Sequence, residues 1–252
     1  MKVLLSPAKS LDFDTAVPHN KMSQPLFLEK AAKVNEVLRK KSPKKLIELM
    51  GISPSLADLN YQRNQDWSTK ASESEERAAV YAFSGEVYRG LDIYNLPTDR
   101  IDFMQDTLRI LSGHYGLLRP LDQIMPYRLE MGTKVAIGRA KNLYEFWQKE
   151  VTKALISELE LGEIVVNLAS NEYAKCIDFD ALENPVYTPV FKEFKNGGYK
   201  VLAVYAKHAR GLMARYIIES GAKSREDLMR FSEGGYALSE EMSQGNQLVF
   251  IR

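Results

Sequence analysis

The sequence predicts an α/β fold, with one mixed sheet and surrounding helices in a single domain that spans residues 1–252. Helical periodicity dominates the first half of the chain, and strand-like runs of β-branched residues mark the second half. No linker rich in Pro, Gly or Ser separates the halves. With 45% hydrophobic residues, a chain of this size should bury on the order of 70% of its unfolded surface. We therefore expect a globular protein.

Charge and cysteine content narrow the class further. Lys and Arg number 34 against 33 Asp and Glu, a net charge of +1 that still permits local basic surfaces. The single Cys cannot form an internal disulfide, and the apolar run at the N-terminus is too short for a signal peptide. No apolar stretch approaches the roughly 20 residues that span a bilayer. These features predict a cytoplasmic protein that does not enter a membrane.

The elements of the first half follow from periodicity and punctuation. Residues 3–5 form a short apolar run that ends at Ser6, which is typical of a buried strand leading into a functional loop. Residues 25–41 have helical spacing, and Ser42 and Ser53, each followed by Pro, predict the N-caps of two more helices. The other helices predicted in this half cover residues 73–83, 98–110 and 142–160, with Asn142 as the N-cap of the last.

The predicted strands lie mainly in the second half. Residues 163–168 (EIVVNL) are rich in β-branched side chains, which favours a buried strand. The Asn-Gly-Gly turn at residues 196–198 separates two β-prone runs, residues 186–194 and 199–205, and predicts a hairpin. Residues 247–251 are expected to form the last strand.

A helix is predicted over residues 207–219, with apolar and polar side chains on opposite arcs. Lys207, Gly211 and Arg215 fall on the polar arc together with a histidine, and Arg210 lies at its edge. A glycine inside a helix costs roughly 1 kcal/mol, so Gly211 indicates the close approach of another backbone.

A tight basic hairpin and a second helix are predicted to follow. Gly221 reads as the helix stop and Ser224 as the next N-cap, with Asp227 at capping-box spacing. This helix-hairpin-helix arrangement could offer free backbone N–H groups, Lys223 and Arg225 to a phosphate. The alternative is a simple packing unit, because short connections between helices often contain Gly.

Two further stretches could carry chemistry. Ser6 and Lys9 lie three residues apart after the first strand and could form a nucleophile pair. The alternatives are that Lys9 binds a phosphate, or that it is a solvated lysine in an ordinary loop. Downstream, three arginines and a tyrosine crowd a connection punctuated by Gly and Pro, where binding groups are often displayed. We expect these side chains to line one cleft with Lys9, unless the arginines pair with Asp106, Asp122 and Glu130. The predicted cleft residues are Lys9, Arg109, Tyr115, Arg119 and Arg128.

Several motifs of known function are absent from the sequence. The three histidines are scattered and no metal set with known spacing occurs, so neither a metal nor a cofactor is predicted. The sequence has no GxxxxGK[ST], GxGxxG or GxSxG motif. Only Lys175 places positive charge near Cys176 in the local sequence, which favours a buried structural thiol over a reactive one.

Six blocks, in order along the whole chain, are similar to the YaaA family of bacterial peroxide stress proteins. Each block is weak alone, but the ordered set is specific. The blocks are SPAKSLD at 6–12, FSGEVYRGL at 83–91, LSGHYGLLRPLD at 111–122, PYRLEMG at 126–132, NLASNEY at 167–173 and AKHARGLMAR at 206–215.

The resemblance implies a cytoplasmic bacterial protein of the oxidative stress response that limits iron-dependent damage from hydrogen peroxide. It also implies DNA binding, an unusual α/β fold with a helix-hairpin-helix element, and a positively charged cleft. Two hypotheses follow for the molecular function. The one we favour is sequence-independent binding of duplex or branched DNA through phosphate contacts, with no protein partner indicated. The alternative is an enzyme acting on a small phosphorylated or nucleotide substrate in the same cleft. The predicted DNA-binding residues are Lys207, Arg210, Gly211, Arg215, Lys223, Ser224 and Arg225.

Overall fold

The computed structural model describes residues 1–72 and 74–252. Within these ranges the fold is mixed α/β, with one eight-stranded sheet and two small two-stranded sheets. The strands are β1 (Lys2–Leu5), β2 (Ser10–Leu11), β3 (Arg77–Ala78), β4 (Phe83–Ser84), β5 (Leu108–Ser112), β6 (Gly116–Leu118), β7 (Gln123–Ile124), β8 (Val165–Asn167), β9 (Val186–Lys195), β10 (Gly198–Lys200), β11 (Ala237–Leu238) and β12 (Gln247–Ile251). The helices are α1 (Leu28–Arg39), α2 (Pro43–Met50), α3 (Pro54–Asp66), α4 (Ala79–Ala82), α5 (Glu86–Leu91), α6 (Ile101–Thr107), α7 (Leu143–Ser157), α8 (Asn171–Ala174), α9 (Ala203–Ser220) and α10 (Arg225–Met229).

The first strand lies in the interior of the large sheet. Val3, Leu4 and Leu5 are completely buried, and β1 pairs in parallel with β5 on one side and β8 on the other. A parallel strand with both faces covered needs a continuous apolar run, which is what this segment provides. The strand predicted from this run is confirmed, and so are the strands predicted at 163–168 and 247–251.

The strand order is β11-β12-β9-β8-β1-β5-β6, with β10 paired to β9. The chain passes from β1 to β5 on one side and later crosses to β8 on the other. The carboxyl ends of β1 and β8 therefore flank a topological switch point, the place where open α/β sheets usually bind ligands.

Helix boundaries agree with the predicted caps. Ser42 accepts a hydrogen bond from the backbone N–H of Lys45, and Asn142 accepts one from Glu145 at 2.9 Å. Ser53 caps α3 in the same way. None of the helices in the described ranges combines the length and apolar character needed to cross a membrane.

Helix α9 crosses α5 at two glycines, Gly211 and Gly90. A Cβ atom placed on Gly211 would lie 1.9 Å from the carbonyl oxygen of Val87, and one on Gly90 would lie 2.2 Å from that of His208. The predicted close approach of another backbone is confirmed. The polar arc is corrected at Gly211, which is buried because α5 covers that position of the helix.

Three predicted boundaries are wrong. The helix expected over 98–110 ends at Thr107, because residues 108–112 form a fully buried strand that pairs with β1 and β6. The helix expected over 73–83 was predicted to begin at Glu73, which lies outside the described residues, and of residues 74–83 only those of α4 are helical. The strand expected over 199–205 ends at Lys200, and α9 begins at Ala203.

Candidate functional site

A cavity of about 280 Å³ lies between the carboxyl ends of β1 and β8 and the helices α5 and α9. We refer to it as the Arg210 cavity. Its polar walls come from four of the six blocks noted in the sequence and from Glu130 of a fifth. The polar lining residues are Ser6, Lys9, Ser10, Ser84, Glu86, Tyr88, Glu130, Ser170, Glu172, Tyr173, Lys207 and Arg210.

The loop after β1 is held in place by its neighbours. The Ser6 hydroxyl oxygen accepts a hydrogen bond from the Ser170 backbone N–H at 2.9 Å, and the Tyr88 hydroxyl donates to the Ser6 carbonyl at 3.1 Å. These contacts tie together the segments after β1 and β8 and the helix α5. The cavity floor is therefore built on sheet ends rather than on free loops.

Most of the charges at the cavity are paired. Glu130 lies 3.1 Å from the Lys9 ammonium and 3.3 Å from the Arg128 guanidinium. Glu86 forms an ion pair with Arg89. Glu172 accepts a hydrogen bond at 2.9 Å from a backbone N–H in the loop that follows Glu130. Each carboxylate at the cavity thus already has a donor.

Lys207 and Arg210 differ from these groups. In the described part of the chain neither side chain has a hydrogen-bond or ion-pair partner. Arg210 is half-buried, and burial lowers its guanidinium pKa, although arginine stays protonated in proteins. A partly desolvated cation without a counter-charge is unfavourable, so this position favours an anionic ligand.

A second cavity, also of about 280 Å³, adjoins the first. The two share Ser84, Gly85 and Tyr88. Arg89 lines the second cavity and adds a further cation beside the shared wall. The two cavities thus lie on either side of the wall formed by these shared residues.

The five predicted cleft residues do not come together. Only Lys9 lines the Arg210 cavity; Arg128 reaches it only through Glu130. Arg109 is 4% exposed and binds Glu158 at 2.6 Å, and Arg119 binds Asp122 at 2.9 Å. The prediction of one arginine-lined cleft is therefore wrong.

The physical reason is internal pairing. Two of the three arginines use the carboxylates that the sequence offered as the structural alternative, while Arg109 pairs with Glu158 rather than Asp106. Tyr115 is 1% exposed and its hydroxyl accepts a hydrogen bond from the Trp67 indole at 2.8 Å. Their polar groups stabilise the interior instead of facing a ligand.

The residues predicted to bind DNA also separate into groups. Lys207 and Arg210 face the cavity, whereas Gly211 is buried at the helix crossing and offers no surface. Arg215 donates to the carbonyls of Leu91 and Asn95 and binds Glu219 at 2.8 Å. Its donors hold the segment after α5 in place.

The hairpin after α9 has the predicted caps. Gly221 adopts a left-handed conformation with φ 68°, and Ser224 and Asp227 form a reciprocal capping box. The Asp227 carboxylate accepts hydrogen bonds from the backbone N–H groups of Lys223 and Ser224, both at 3.0 Å. Arg225 contacts the Met229 sulfur, and α10 has five residues. The amides expected to face a phosphate are thus occupied within the protein.

Several cavity residues were not among the predicted site residues. Glu86, Ser84, Ser170 and Glu172 line the cavity, yet composition and spacing give them no distinct role. They do lie inside two of the blocks that carry the family resemblance. Their position in those blocks was the available signal, and Ser170 and Glu172 also follow the strand predicted at residues 163–168.

The fold and cavity define a mixed α/β protein with a cavity lined by charged residues at a switch point. Residues 1–242 match the family model described as peroxide stress protein YaaA. A UPF0246 protein of Flavobacterium johnsoniae is 52% identical over 252 residues, covering all of both chains. UPF0246 proteins of Flavobacterium psychrophilum and Saccharophagus degradans are 47% and 48% identical, covering all of this chain and at least 99% of theirs. The chain therefore belongs to the YaaA peroxide stress protein family.

Proposed function

We propose that this protein supports survival of hydrogen peroxide by binding DNA through the phosphate backbone, and so limits iron-dependent damage there. One observation carries the proposal: Lys207 and Arg210 project from α9 into the cavity, and within the described residues neither has a counter-charge. The planar guanidinium of Arg210 suits phosphate oxygens. Contacts of this kind position a duplex without reading its sequence.

The helix-hairpin-helix element has a smaller role in the proposal. The Lys223 and Ser224 amides are occupied by Asp227. Contact with DNA is therefore assigned first to Lys207 and Arg210, with the exposed Lys223 side chain as an additional point of attraction. Arg215 supports the fold rather than the ligand.

The second candidate is an enzyme that acts on a small phosphorylated or nucleotide substrate. The size and position of the Arg210 cavity favour it, since about 280 Å³ at a switch point is close to the range of small-ligand sites. Three carboxylates line the same cavity and could bind the sugar or base of a nucleotide. Both candidates place a phosphate group beside Arg210.

The test measures binding of a labelled duplex and a four-way junction by fluorescence anisotropy across a series of salt concentrations. Lys207→Gln and Arg210→Gln should each weaken binding and reduce the salt slope by about 1, the effect of losing one phosphate contact. Lys153→Gln is the matched control, because Lys153 is an exposed lysine on α7 away from the cavity. Thermal unfolding of each variant shows whether the fold is intact.

Two outcomes would overturn the DNA proposal. One is wild-type protein that binds neither duplex nor junction at low salt. The other is an unchanged salt slope in the double variant Lys207→Gln/Arg210→Gln. Calorimetric titration with thymidine monophosphate then tests the second candidate. An enzyme for such a substrate requires that the wild-type protein binds the nucleotide and that Arg210→Gln does not.

A further inference from the structure

The β9–β10 hairpin presents two aromatic side chains to solvent. Phe194 and Tyr199 are directly opposite each other across the antiparallel pair and are 62% and 36% exposed. Their rings meet edge to face with centroids 5.3 Å apart. Large exposed aromatic groups in contact with each other are unusual on a protein surface that binds nothing.

The hairpin is also positively charged. Lys192, Lys195 and Lys200 have no ion-pair partner in the described part of the chain. Glu193 does not offset them, because its carboxylate binds Arg252 at 3.1 Å and also the Tyr236 hydroxyl. Lys192 lies on the same face of the hairpin as the aromatic pair, and Lys195 and Lys200 lie on the opposite face, because side chains alternate along a strand. The net positive charge of the hairpin therefore favours an anionic partner.

The backbone holds this arrangement firmly. Asn196 and Gly197 occupy the turn with φ values of 53° and 76°, as two-residue hairpin loops require. β9 continues into the hairpin from its pairing with β12, and the Phe194 N–H donates to the Arg252 carbonyl at 2.8 Å. The aromatic pair is thus fixed before any ligand arrives.

We propose that Phe194 and Tyr199 form a stacking surface for single-stranded DNA, with Lys192 contacting its phosphates on the same face and Lys195 and Lys200 adding positive charge from the other face of the hairpin. Single-strand binding sites combine positive charge with aromatic rings on which bases stack. A duplex hides its base faces, so the aromatic pair adds affinity only for unpaired bases. No residue of the hairpin lines the Arg210 cavity, so this surface is separate from the proposed duplex contact.

A second copy of the chain is a weaker occupant for this patch. A two-fold interface brings the same surface of both copies together. Lys192 of one hairpin would then lie near Lys192 of the other, with Lys195 and Lys200 adding like charge from the opposite faces, and like charges brought together oppose association. Charge complementarity therefore favours a polyanion over self-association.

The experiment titrates full-length protein into labelled oligo-dT, with oligo-rU of equal length as the RNA arm and a duplex as the comparison. Phe194→Ala/Tyr199→Ala should weaken oligo-dT binding by about tenfold or more, since one stacked base accounts for that much. Duplex binding should not change. Leu161→Ala is the control, because it removes an exposed apolar side chain from a distant loop.

A direct readout guards against a misfolded double variant. In Phe194→Trp, stacking with a thymine base should quench the new tryptophan, whereas Trp67 and Trp147 are buried and should not respond. Two results with oligo-dT would overturn the proposal. One is the absence of oligo-dT binding by the wild-type protein. The other is binding that neither quenches the tryptophan of Phe194→Trp nor weakens in Phe194→Ala/Tyr199→Ala. So would oligo-rU binding with no oligo-dT binding, or a wild-type dimer in sedimentation that the double variant abolishes.

Discussion

The Arg210 cavity and the aromatic cluster around His114 both draw residues from the polar sequence blocks. The cavity is open, whereas the cluster is sealed in the interior. The cluster consists of Trp67, His114, Tyr115 and Tyr127, with ring centroids 4.8 to 5.1 Å from His114. His114 is completely buried and neither ring nitrogen has a hydrogen-bond partner. Burial lowers its pKa to about 3, so the imidazole is neutral at physiological pH.

The difference shows that polar density in a sequence does not locate a binding site. Around His114 the polar side chains are enclosed by aromatic rings or satisfied by neighbours, as when Ser112 bonds the Tyr127 hydroxyl at 2.7 Å. At the cavity, Lys207 and Arg210 face open space. Access separates the two regions, because the unpartnered His114 is sealed in the interior whereas the unpartnered Lys207 and Arg210 line a cavity, and only the folded chain reveals this.

The largest loss of folding stability is expected at the crossing of α9 and α5, which holds the cavity wall in place. Gly211→Val should reduce the free energy of unfolding by at least about 4 kcal/mol, because its Cβ would meet the backbone of α5. The Val87 carbonyl cannot move without shifting that helix. Chemical denaturation with circular dichroism measures the loss.

Gly198→Ala is the control for this change. A Cβ at Gly198 meets nothing within 4 Å, so the substitution should stay within about 0.5 kcal/mol of the wild-type value. Equal stability of the two variants would show that α9 and α5 do not cross at Gly211, and the position of Arg210 would then need revision.

The second prediction concerns the sealed cluster. The unfolded chain binds a proton at His114 below about pH 6.5, whereas the folded chain does not until the pH approaches 3. Folding stability should therefore fall as the pH falls, by about 2 kcal/mol between pH 7 and pH 5 from this group alone. Denaturation at several pH values measures the slope.

Comparison with His114→Leu isolates this contribution. The buried Asp122, whose pKa is raised by burial, changes stability in the opposite direction, but it is present in both proteins. The wild-type protein should lose more stability than the variant on acidification. Parallel pH profiles would mean that the His114 imidazole takes up its proton in the folded protein, and hence that the cluster admits water.

Local patterns were sufficient to predict much of the fold. The caps at Ser42, Ser53 and Asn142 depend on a hydroxyl or amide reaching an N–H group three residues away, so neighbouring residues decide them. The hairpin at residues 196–198 was predictable for the same reason. Residues 108–112 were not, because the parallel partner that makes them a strand lies more than 100 residues earlier in the chain.

The site was harder to predict than the fold. The sequence identified Lys9, Lys207 and Arg210 individually but placed Lys9 in one predicted site and the other two in another. Their convergence depends on the switch between β1 and β8 and on the crossing at Gly211. Arg109 and Arg119 have the same residue type as Arg210, and only pairing with Glu158 and Asp122 distinguishes them.

The smallest effect is expected at Cys176, which follows α8 and the cavity residues Glu172 and Tyr173. The thiol is completely buried, as predicted from sequence, and burial raises its pKa to about 12, so it is not a thiolate at neutral pH. A thiol that reduces peroxide must be accessible and ionised. Cys176→Ala should therefore complement a peroxide-sensitive deletion strain as well as the wild-type protein does, with survival counted at matched protein levels.

Cys176→Ser is the less decisive variant, because a buried hydroxyl without a partner costs about 1 to 3 kcal/mol and could lower protein abundance. Loss of protection in Cys176→Ala at normal abundance would replace the DNA-binding proposal with a redox enzyme, because no other cysteine exists in the chain to carry the chemistry.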